Sequence, residues 1–389
     1  MNHTVRSWVE IQLSELQENL QKLRGLIGPD CLLMQVVKAD AYGHGLQACG
    51  KYASPYVDWF AVTTVAEGAA LREAGCQNPI LVFEALTDAD VLPAVKLNLT
   101  INFCSLEYCR RVNALLEGTG CRLDGHIEVD TGMNRTGLKM RADRVEQVTT
   151  EAAEICRLPN LRVTGCYTHF ACPDSPDEQA RRFTRAQWVL YQQFCGEMEQ
   201  AGYSLGLHHC CSSTALLNYP EYRMDMVRTG MFPLGQCDCA ETAQKLGIHQ
   251  IMRWYARVVD IQTVRAGEPI GYNCTYIAQK DTRIANISVG YADGYNRAYS
   301  NRAQVIIRGK YAAVCGKVCM DCFMVDVTEI PECRAGDLVL LLGESENKCI
   351  RADELAALIP FGVSGAVTCA IAARVPRHYT VDCKMKLDT

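Results

Sequence analysis

The chain has 389 residues, of which 49% are hydrophobic and 21% are charged, and its formal net charge is −5. This length and composition exclude a disordered chain, and they suffice for two domains or for one large barrel with an appendage. The acidic balance argues against a nucleic-acid partner or an anionic membrane surface, because both require a basic face.

The N-terminal segment, MNHTVRSWVEIQLSELQENL, lacks the apolar core and the small-residue cleavage site of a secretory signal. No stretch approaches about 18 consecutive apolar residues, so we expect no membrane segment in this chain, although a module cut from a membrane-anchored protein would have the same sequence. The 22 cysteines follow no repeated spacing, which predicts free thiols in a reducing cytoplasm. The C-x-x-C pair of Cys319 and Cys322 has no matched second pair, so we expect no metal site.

Eight short apolar runs alternate with amphipathic segments between residue 32 and about residue 235. The runs are LLMQVVKA (32–39), WFAVTT (59–64), PILVFEA (79–85), TINFCS (100–105), DGHIEVD (124–130), LRVTGCYTH (161–169), LGLHHCCSS (205–213) and RMDMVRTG (223–230). Helical patterns such as DEQARRFTRAQWVLYQQFCGEMEQAG lie between most of them. This alternation predicts an α/β fold with an N-terminal (β/α)8 barrel, which we place at residues 10–240.

The pattern changes after Leu234. From Arg253 onward, β-rich segments separated by turn residues predict a mostly antiparallel β-domain, placed at residues 241–389. The segment SWVEIQL near the N-terminus is also strand-like, so we assign a strand at residues 1–9 to this second domain.

Polar residues follow the ends of several barrel strands, where the active sites of (β/α)8 enzymes lie. They follow the first, fifth, sixth and eighth strands as Lys38, Arg135, His169 and Arg228. The loops after strands seven and eight contain Ser213 and Gly230, a hydroxyl and a close-approach glycine of the kind that bind a phosphate. A lysine together with a phosphate site predicts a Schiff base to a phosphorylated aldehyde.

Nine motifs occur in this chain in the same order as in bacterial alanine racemases. They are VVKADAYGHG, EVDTGMNRTG, YTHFA, HHCCSSTA, VRTGMFPLG, GYNCTY, VGYADGYNR, CGKVCMD and ARVPR, and they span residues 36–377. The chain thus resembles the alanine racemase family of barrel-type pyridoxal-phosphate enzymes. The resemblance implies pyridoxal 5′-phosphate as cofactor, a small amino acid as substrate, and a homodimer whose active sites are shared between subunits.

The resemblance also implies roles for single residues. Lys38 would bind the cofactor covalently and act as one acid/base, and Tyr272 of the partner subunit would act as the opposite one, supported by His169 and Arg135. The implied cofactor-binding residues are Lys38, Tyr42, His169, Ser213, Arg228, Gly230 and Met231, with Arg228 at the pyridine nitrogen. The implied substrate contacts are Arg135, Met320, Asp321 and Ala373, and the corridor by which substrate reaches the site would include Asp174, Tyr291 and Arg297.

Two positions depart from the usual pattern of the family. Glu128 stands where the family usually has a lysine, often carbamylated, so the glutamate would present an anion to Arg135 without added CO₂. Alternation along a strand also allows Glu128 to be a surface residue. Ala373 stands where the family usually has a tyrosine, which opens space for a side chain such as that of serine.

The expected function is therefore a cytoplasmic racemase that interconverts L- and D-serine, L- and D-alanine, or both, and supplies D-amino acids for peptidoglycan precursors. Serine-racemising modules of vancomycin-resistance systems, which are joined to a membrane domain, are compatible with this pattern. The alternatives are a barrel-type decarboxylase, which should have an acidic residue in place of Arg228, a pyridoxal-phosphate carrier without a second base, and a cofactor-free Schiff-base aldolase.

Overall fold

The computed structural model describes residues 6–237, 240–345 and 347–381. Residues 1–5 of the expected N-terminal strand and residues 382–389 of the expected β-domain lie outside the described residues. The chain packs into two compact units. The barrel unit contains Leu23–Ala41 and Leu46–Gly230, and the β-unit contains the residues up to Lys22, the segment Tyr42–Gly45 and the residues from Met231 onward.

The elements before Gly230 alternate between strands and helices. In chain order they are β1 (Ser7–Gln12), α1 (Leu13–Ile27), β2 (Leu32–Val36), α2 (Lys38–Gly43), α3 (Leu46–Ala53), β3 (Trp59–Val62), α4 (Val65–Glu73), β4 (Ile80–Val82), α5 (Asp88–Lys96), β5 (Thr100–Phe103), α6 (Leu106–Leu115), β6 (Leu123–Asp130), β7 (Leu138–Lys139), α7 (Val145–Cys156), β8 (Leu161–Tyr167), α8 (Glu178–Gln200), β9 (Leu207–His209), α9 (Ser213–Asn218) and β10 (Met226–Thr229).

The strands of the barrel unit form one parallel sheet in the order β10-β2-β3-β4-β5-β6-β8-β9. The Arg228 N–H donates to the Cys211 carbonyl at 2.9 Å, and the Asp225 N–H donates to the His208 carbonyl at 3.1 Å, so the two ends of the sheet nearly close. All three residues of β4 are fully buried, as expected for a parallel strand covered on both faces. The predicted barrel is confirmed.

The outer helices begin at recognisable caps. The Asp177 side chain accepts hydrogen bonds from the backbone N–H groups of Gln179 and Ala180 and starts α8, and Thr64 forms a capping box with Glu67 at the start of α4. These caps satisfy N–H groups that have no partner within the helix and so define where α4 and α8 begin.

The β-unit contains the remaining elements. They are α10 (Ala240–Leu246), β11 (Met252–Val264), β12 (Pro269–Ile270), β13 (Tyr276–Ile277), β14 (Thr282–Ile287), β15 (Gln304–Ile307), β16 (Lys310–Cys315), β17 (Phe323–Asp326), β18 (Leu338–Ser345), β19 (Lys348–Ile350), α11 (Ala352–Ala356), α12 (Ser364–Cys369) and β20 (Arg377–Thr380).

The main sheet of the β-unit has the order β19-β18-β15-β16-β17-β14-β11-β1-β20. Strand β1 is antiparallel to β11 and parallel to β20, and the other neighbours in this sheet are antiparallel. Tyr295 stacks on Phe323 at 4.4 Å between ring centroids in its core. The predicted antiparallel domain after the barrel is confirmed. In the described ranges, no helix combines the length and the apolar character needed to cross a membrane.

Candidate active site

Lys38 lies two residues after the end of β2, at the first position of α2. The four residues that follow it, 39–42, have φ angles of 53°, 56°, 52° and 53°, so the turn is left-handed although none of them is glycine. Two carboxylates hold this backbone: Asp40 accepts from the Leu46 N–H at 2.7 Å, and Glu67 accepts from the N–H of the residue after Lys38 at 2.7 Å. Left-handed backbone costs roughly 1–2 kcal/mol per residue and is concentrated at functional sites.

Arg228 is buried at the end of β10, where its guanidinium makes five hydrogen bonds. Nη1 donates to His209 Nδ1 at 2.8 Å and to the His209 carbonyl at 2.9 Å. Nη2 donates to the Thr168 carbonyl at 2.9 Å, to His169 Nδ1 at 3.1 Å and to the Cys210 carbonyl at 3.2 Å. None of these acceptors is a carboxylate, so the arginine places an uncompensated positive charge at this point, although burial lowers its pKa.

The hydrogen bonds of Arg228 determine the protonation of the surrounding histidines. Because a guanidinium only donates, Nδ1 of His169 and of His209 must accept, and the proton of each neutral ring lies on Nε2. His209 Nε2 lies 2.9 Å from His126 Nδ1, to which it donates. Burial, followed by the charge of Arg228, lowers the pKa of His126 and of His169 to about 3 and also lowers that of His209. All three rings are therefore neutral at neutral pH.

Three cations lower the pKa of His169. After burial, the causes are the charges of Arg228, Arg135 and Lys38, and Arg228 also donates to the ring at 3.1 Å. Such an accumulation of positive charge at the ends of barrel strands favours an anionic ligand.

Glu128 is buried on β6, so the surface-facing alternative for this residue is wrong. Its Oε2 accepts from Asn102 Nδ2 at 2.6 Å. Burial raises the pKa of Glu128, while the Asn102 hydrogen bond and the charge of Arg135 act in the opposite direction. The charge of Arg135 thus favours the ionised carboxylate, and a direct role of Glu128 toward this arginine stays a prediction.

The loops after β9 and β10 are joined by a hydrogen bond from the Gly230 N–H to Ser213 Oγ, at 3.2 Å. Ser213 is the first residue of α9 and is buried. The structure therefore brings together the two residues of the barrel unit that were predicted to contact a phosphate.

Tyr272 lies in the β-unit and is 64% exposed. It sits between Gly271, with a φ of 72°, and Asn273, with a φ of 63°. The positive φ of Gly271 is a conformation that glycine adopts without strain, so this residue favours the turn before Tyr272. Tyr272 lines an open cavity of about 420 Å³ that also includes Cys319.

Other predicted residues of the β-unit lie close to one another. The Tyr291 N–H donates to the Cys319 carbonyl and the Ala292 N–H donates to the Met320 carbonyl, both at 3.0 Å. The Arg297 guanidinium lies 5.7 Å from the Tyr291 ring centroid. Asp321 accepts from Arg374 at 2.7 Å, and the exposed Ala373 directly precedes that arginine.

Three further predicted residues have surroundings that can be described within their own units. Tyr42 belongs to the β-unit, where Gly365 packs against its ring and burial raises its pKa to about 12. Met231 also belongs to the β-unit, and its carbonyl accepts from the Leu234 N–H. Asp174 lines a cavity of about 310 Å³ in the barrel unit together with Arg181 and Arg185.

Sequence reasoning missed the support provided by His126 and His209. The signal was present, because His126 lies two residues before Glu128 on β6, and residues two apart on a strand face the same side. The pair His208–His209 was left without a role, but alternation means that only one of two neighbours faces inward, and the structure buries His209 fully.

The residues of the barrel unit fit pyridoxal 5′-phosphate. A cluster of Lys38, Arg135 and Arg228 suits an anionic group, and Ser213 with Gly230 provides a hydroxyl and a backbone N–H. The lysine beyond the first barrel strand, the buried arginine without a carboxylate and the added antiparallel domain define a barrel-type pyridoxal-phosphate enzyme.

Comparison with known proteins agrees with this class. The alanine racemase N-terminal domain model matches residues 11–237, and the C-terminal domain model matches residues 251–379. The alanine racemase of Desulforamulus reducens is 34% identical over 374 residues, covering 96% of this chain and 98% of its own length. The structure of alanine racemase from Streptomyces coelicolor A3(2) superimposes with a TM-score of 0.90 at 28% identity, covering 98% of this chain and 100% of that one. The structure of alanine racemase from Streptomyces lavendulae superimposes with a TM-score of 0.89 at 29% identity, covering 97% of this chain and 98% of that one.

The chain belongs to the alanine racemase family. It is an isomerase of that family and uses pyridoxal 5′-phosphate.

Proposed function

We propose that this enzyme is a homodimeric racemase of alanine and serine that uses two bases, Lys38 and Tyr272, and supplies D-amino acids for peptidoglycan precursors. The observation that carries the proposal is the buried Arg228, whose guanidinium donates to the neutral His169 at 3.1 Å and otherwise to carbonyls and a second imidazole. The free thiols of the described cysteines fit a cytoplasmic setting.

Racemisation requires proton transfer at both faces of the substrate Cα. The bound cofactor supplies the electron-withdrawing ring that makes the Cα proton acidic. Lys38 holds the cofactor covalently in the resting enzyme and moves a proton at one face. Tyr272 of the partner subunit moves a proton at the other face, so removal at one side and return at the other inverts the configuration.

The neutral His169 supports the tyrosine base. Because Arg228 donates to its Nδ1, the ring presents Nε2–H as a donor, and a hydrogen bond from this group to the tyrosine oxygen would stabilise the deprotonated phenol. Arg135 pairs with the substrate carboxylate, and the buried Glu128 keeps that arginine in place.

The cofactor is held at both of its ends. Arg228 would face the pyridine nitrogen, and its positive charge would keep that nitrogen unprotonated, which would limit side reactions. The residues that would bind the phosphate are Tyr42, Ser213, Gly230 and Met231. The residues that would line the substrate site and its corridor are Met320, Asp321, Ala373, Asp174, Tyr291 and Arg297.

Two observations weigh against the rival functions. A decarboxylase of this architecture should place a carboxylate where Arg228 lies, yet the acceptors around this guanidinium are carbonyls and imidazoles. A cofactor carrier has no use for a second domain with an exposed tyrosine beside a cavity.

Serine activity depends on Ala373. The exposed alanine leaves room that a tyrosine would fill, so Ala373→Tyr should lower the ratio of kcat/KM for serine to that for alanine by about tenfold or more. Racemisation of both amino acids, followed by chiral chromatography for the parent and the variant, measures this ratio. An unchanged ratio with both activities retained would refute the substrate assignment. Ala372→Ser, one position earlier, controls for disturbance of the segment.

A further inference from the structure

A second cluster of ionisable groups lies between α8 and strands β8 and β9, apart from the residues assigned above. Cys195 Sγ on α8 lies 3.5 Å from Nδ1 of His208, which is on β9. Tyr191 Oη lies 3.3 Å from the same nitrogen and 2.7 Å from the Cys166 carbonyl. Cys166, Tyr191, Cys195 and His208 form what we call the Cys195 cluster.

The hydrogen bonds of the cluster place a proton on His208 Nδ1. The Tyr191 hydroxyl has one hydrogen and donates it to the Cys166 carbonyl, so its oxygen can only accept from the imidazole. The imidazole N–H is thus directed at Tyr191 Oη and Cys195 Sγ. This direction distinguishes the Cys195 sulfur from that of a thiol buried among apolar side chains.

The surrounding charges favour a thiolate beside an imidazolium. The pKa of Cys195 is lowered to about 6, and the largest cause is a hydrogen bond from the Cys166 thiol. Burial acts in the opposite direction, and the hydrogen bond and charge of His208 lower the pKa further. Cys195 in turn raises the pKa of His208, with further contributions from the carboxylates of Asp225 and Glu199. The Asp225 carboxylate also accepts from the backbone N–H of His208 at 2.7 Å, which holds this residue of β9 in place.

Cys195 differs from the fully buried thiols of the barrel unit in both access and ionisation, and it differs in ionisation from the half-buried Cys104 and Cys156, whose pKa values are raised by burial. Cys195 is half-buried, whereas Cys49 and Cys109 are fully buried and burial raises the pKa of each. Thiolates are the reactive form of cysteine, and a cationic neighbour with partial exposure is the usual environment of a reactive one.

We propose that Cys195, whose sulfur lies 3.5 Å from the imidazole Nδ1 of His208, is a site of oxidation and alkylation that reacts with peroxides and soft electrophiles in preference to the buried thiols. In the reaction with a hydroperoxide, the sulfur attacks one peroxide oxygen and the O–O bond breaks. Sulfur is oxidised to a sulfenic acid, and the other oxygen leaves as hydroxide, or as an alkoxide from an organic peroxide, and takes the proton of His208. Nothing in this proposal depends on the racemase assignment.

The test is the pH dependence of labelling. The holoenzyme is pulsed with iodoacetamide between pH 5 and pH 9, and the peptide that contains Cys195 is quantified by mass spectrometry, with N-acetylcysteine as the reference thiol. We expect Cys195 to reach about half of its plateau rate near pH 6, where the reference reaches less than about 1% of its own. A Cys195 profile that coincides with the reference, or a Cys195 that stays unlabelled while the holoenzyme is folded, overturns the proposal.

A variant isolates the contribution of His208. His208→Asn should lower the labelling rate of Cys195 at pH 6 by about tenfold, because the cationic donor is lost. One equivalent of hydrogen peroxide followed by dimedone should tag Cys195 in the parent, and Cys195→Ser should lack this tag. An unchanged labelling rate in His208→Asn would contradict the pairing. If that variant does not fold, the parent's own pH profile still decides.

Discussion

Glu128 shows how one side chain can replace a modified one. The family usually has a lysine at this position, often carbamylated, whereas here a buried carboxylate accepts from Asn102 and the charge of Arg135 acts to lower its pKa. A glutamate carries its negative charge without CO₂, so the anion is built into the sequence.

We expect racemase activity that does not depend on bicarbonate. In Glu128→Lys, activity should rise on addition of bicarbonate. Glu128→Gln, the matched neutral control, should lose about 10- to 100-fold in kcat/KM, as expected for loss of a charged hydrogen-bond partner. The activity of this control should not respond to bicarbonate. Initial rates in CO₂-depleted and bicarbonate-containing buffers test this. Marked activation of the parent by bicarbonate would contradict the role given to Glu128.

The histidines around Arg228 make the fold sensitive to acid. Their pKa values in the folded state are lowered, to about 3 for His126 and His169, below the value of about 6.5 in an unfolded chain. As pH falls below 6.5, the unfolded chain therefore binds protons before the folded one does. The contribution of these histidines to the free energy of unfolding is fully present above pH 6.5 and is lost progressively toward pH 3.

Each such histidine should contribute a slope of about 1.4 kcal/mol per pH unit to the free energy of unfolding between about pH 6 and pH 4. In His126→Asn, whose amide oxygen can still accept from His209, that slope should decrease by about this amount. Urea unfolding of the parent and the variant at several pH values measures the difference. Parallel curves for the two proteins would show that His126 titrates equally in both states.

At the scale of elements, the turn after Lys38 is the most unusual. Residues 39–42 form a left-handed turn, although alanine strongly favours the right-handed helix. The exposed Ala39 has a φ of 53°, so its substitution by glycine tests whether strain is stored there.

Ala39→Gly should stabilise the protein by up to about 1 kcal/mol, because relief of roughly 1–2 kcal/mol of strain exceeds the entropic cost of glycine of roughly 0.5–1 kcal/mol. The matched control is Ala186→Gly, at an exposed position of the right-handed helix α8, which should destabilise by about 1 kcal/mol. Chemical unfolding of the parent and both variants measures the two changes in the free energy of unfolding. Equal destabilisation by the two glycines would exclude a strained turn.

Sequence patterns were sufficient to predict the barrel strands, but they did not predict the left-handed turn at residues 39–42. Runs such as ILV of β4 are unambiguous because parallel strands are buried on both faces. The ADAY segment has ordinary helix-forming residues, and nothing in their chemistry signals a left-handed backbone. Strand ends similarly predicted Lys38 and Arg228, whereas the contacts of Arg228 with His209 and Cys210 depend on how the sheet closes, which is a property of the tertiary fold.

At the scale of the whole molecule, the residues assigned to one reaction are divided between the two compact units. Lys38, His169 and Arg228 belong to the barrel unit, and the exposed Tyr272 belongs to the β-unit. In the proposed homodimer, each complete site takes its lysine from one chain and its tyrosine from the other.

Mixed dimers test this division. A purified dimer of one Lys38→Ala chain and one Tyr272→Phe chain should have one complete site of two, and so about half of the parent activity. The control dimer pairs a parent chain with a double variant, Lys38→Ala with Tyr272→Phe, and should be nearly inactive. The reverse result, an active control and an inactive mixed dimer, would place both bases in one chain.

Arg228 also has a mechanical role, because its guanidinium ties together backbone carbonyls at the ends of β8 and β9 while its own N–H bonds the chain after β9. The group that would tune the cofactor is therefore the same group that fastens the last strands of the barrel. An acidic residue at this position would repel those carbonyls as well as change the chemistry. A change of reaction type that replaced this arginine would therefore also remove three side-chain hydrogen bonds to the carbonyls at the ends of β8 and β9.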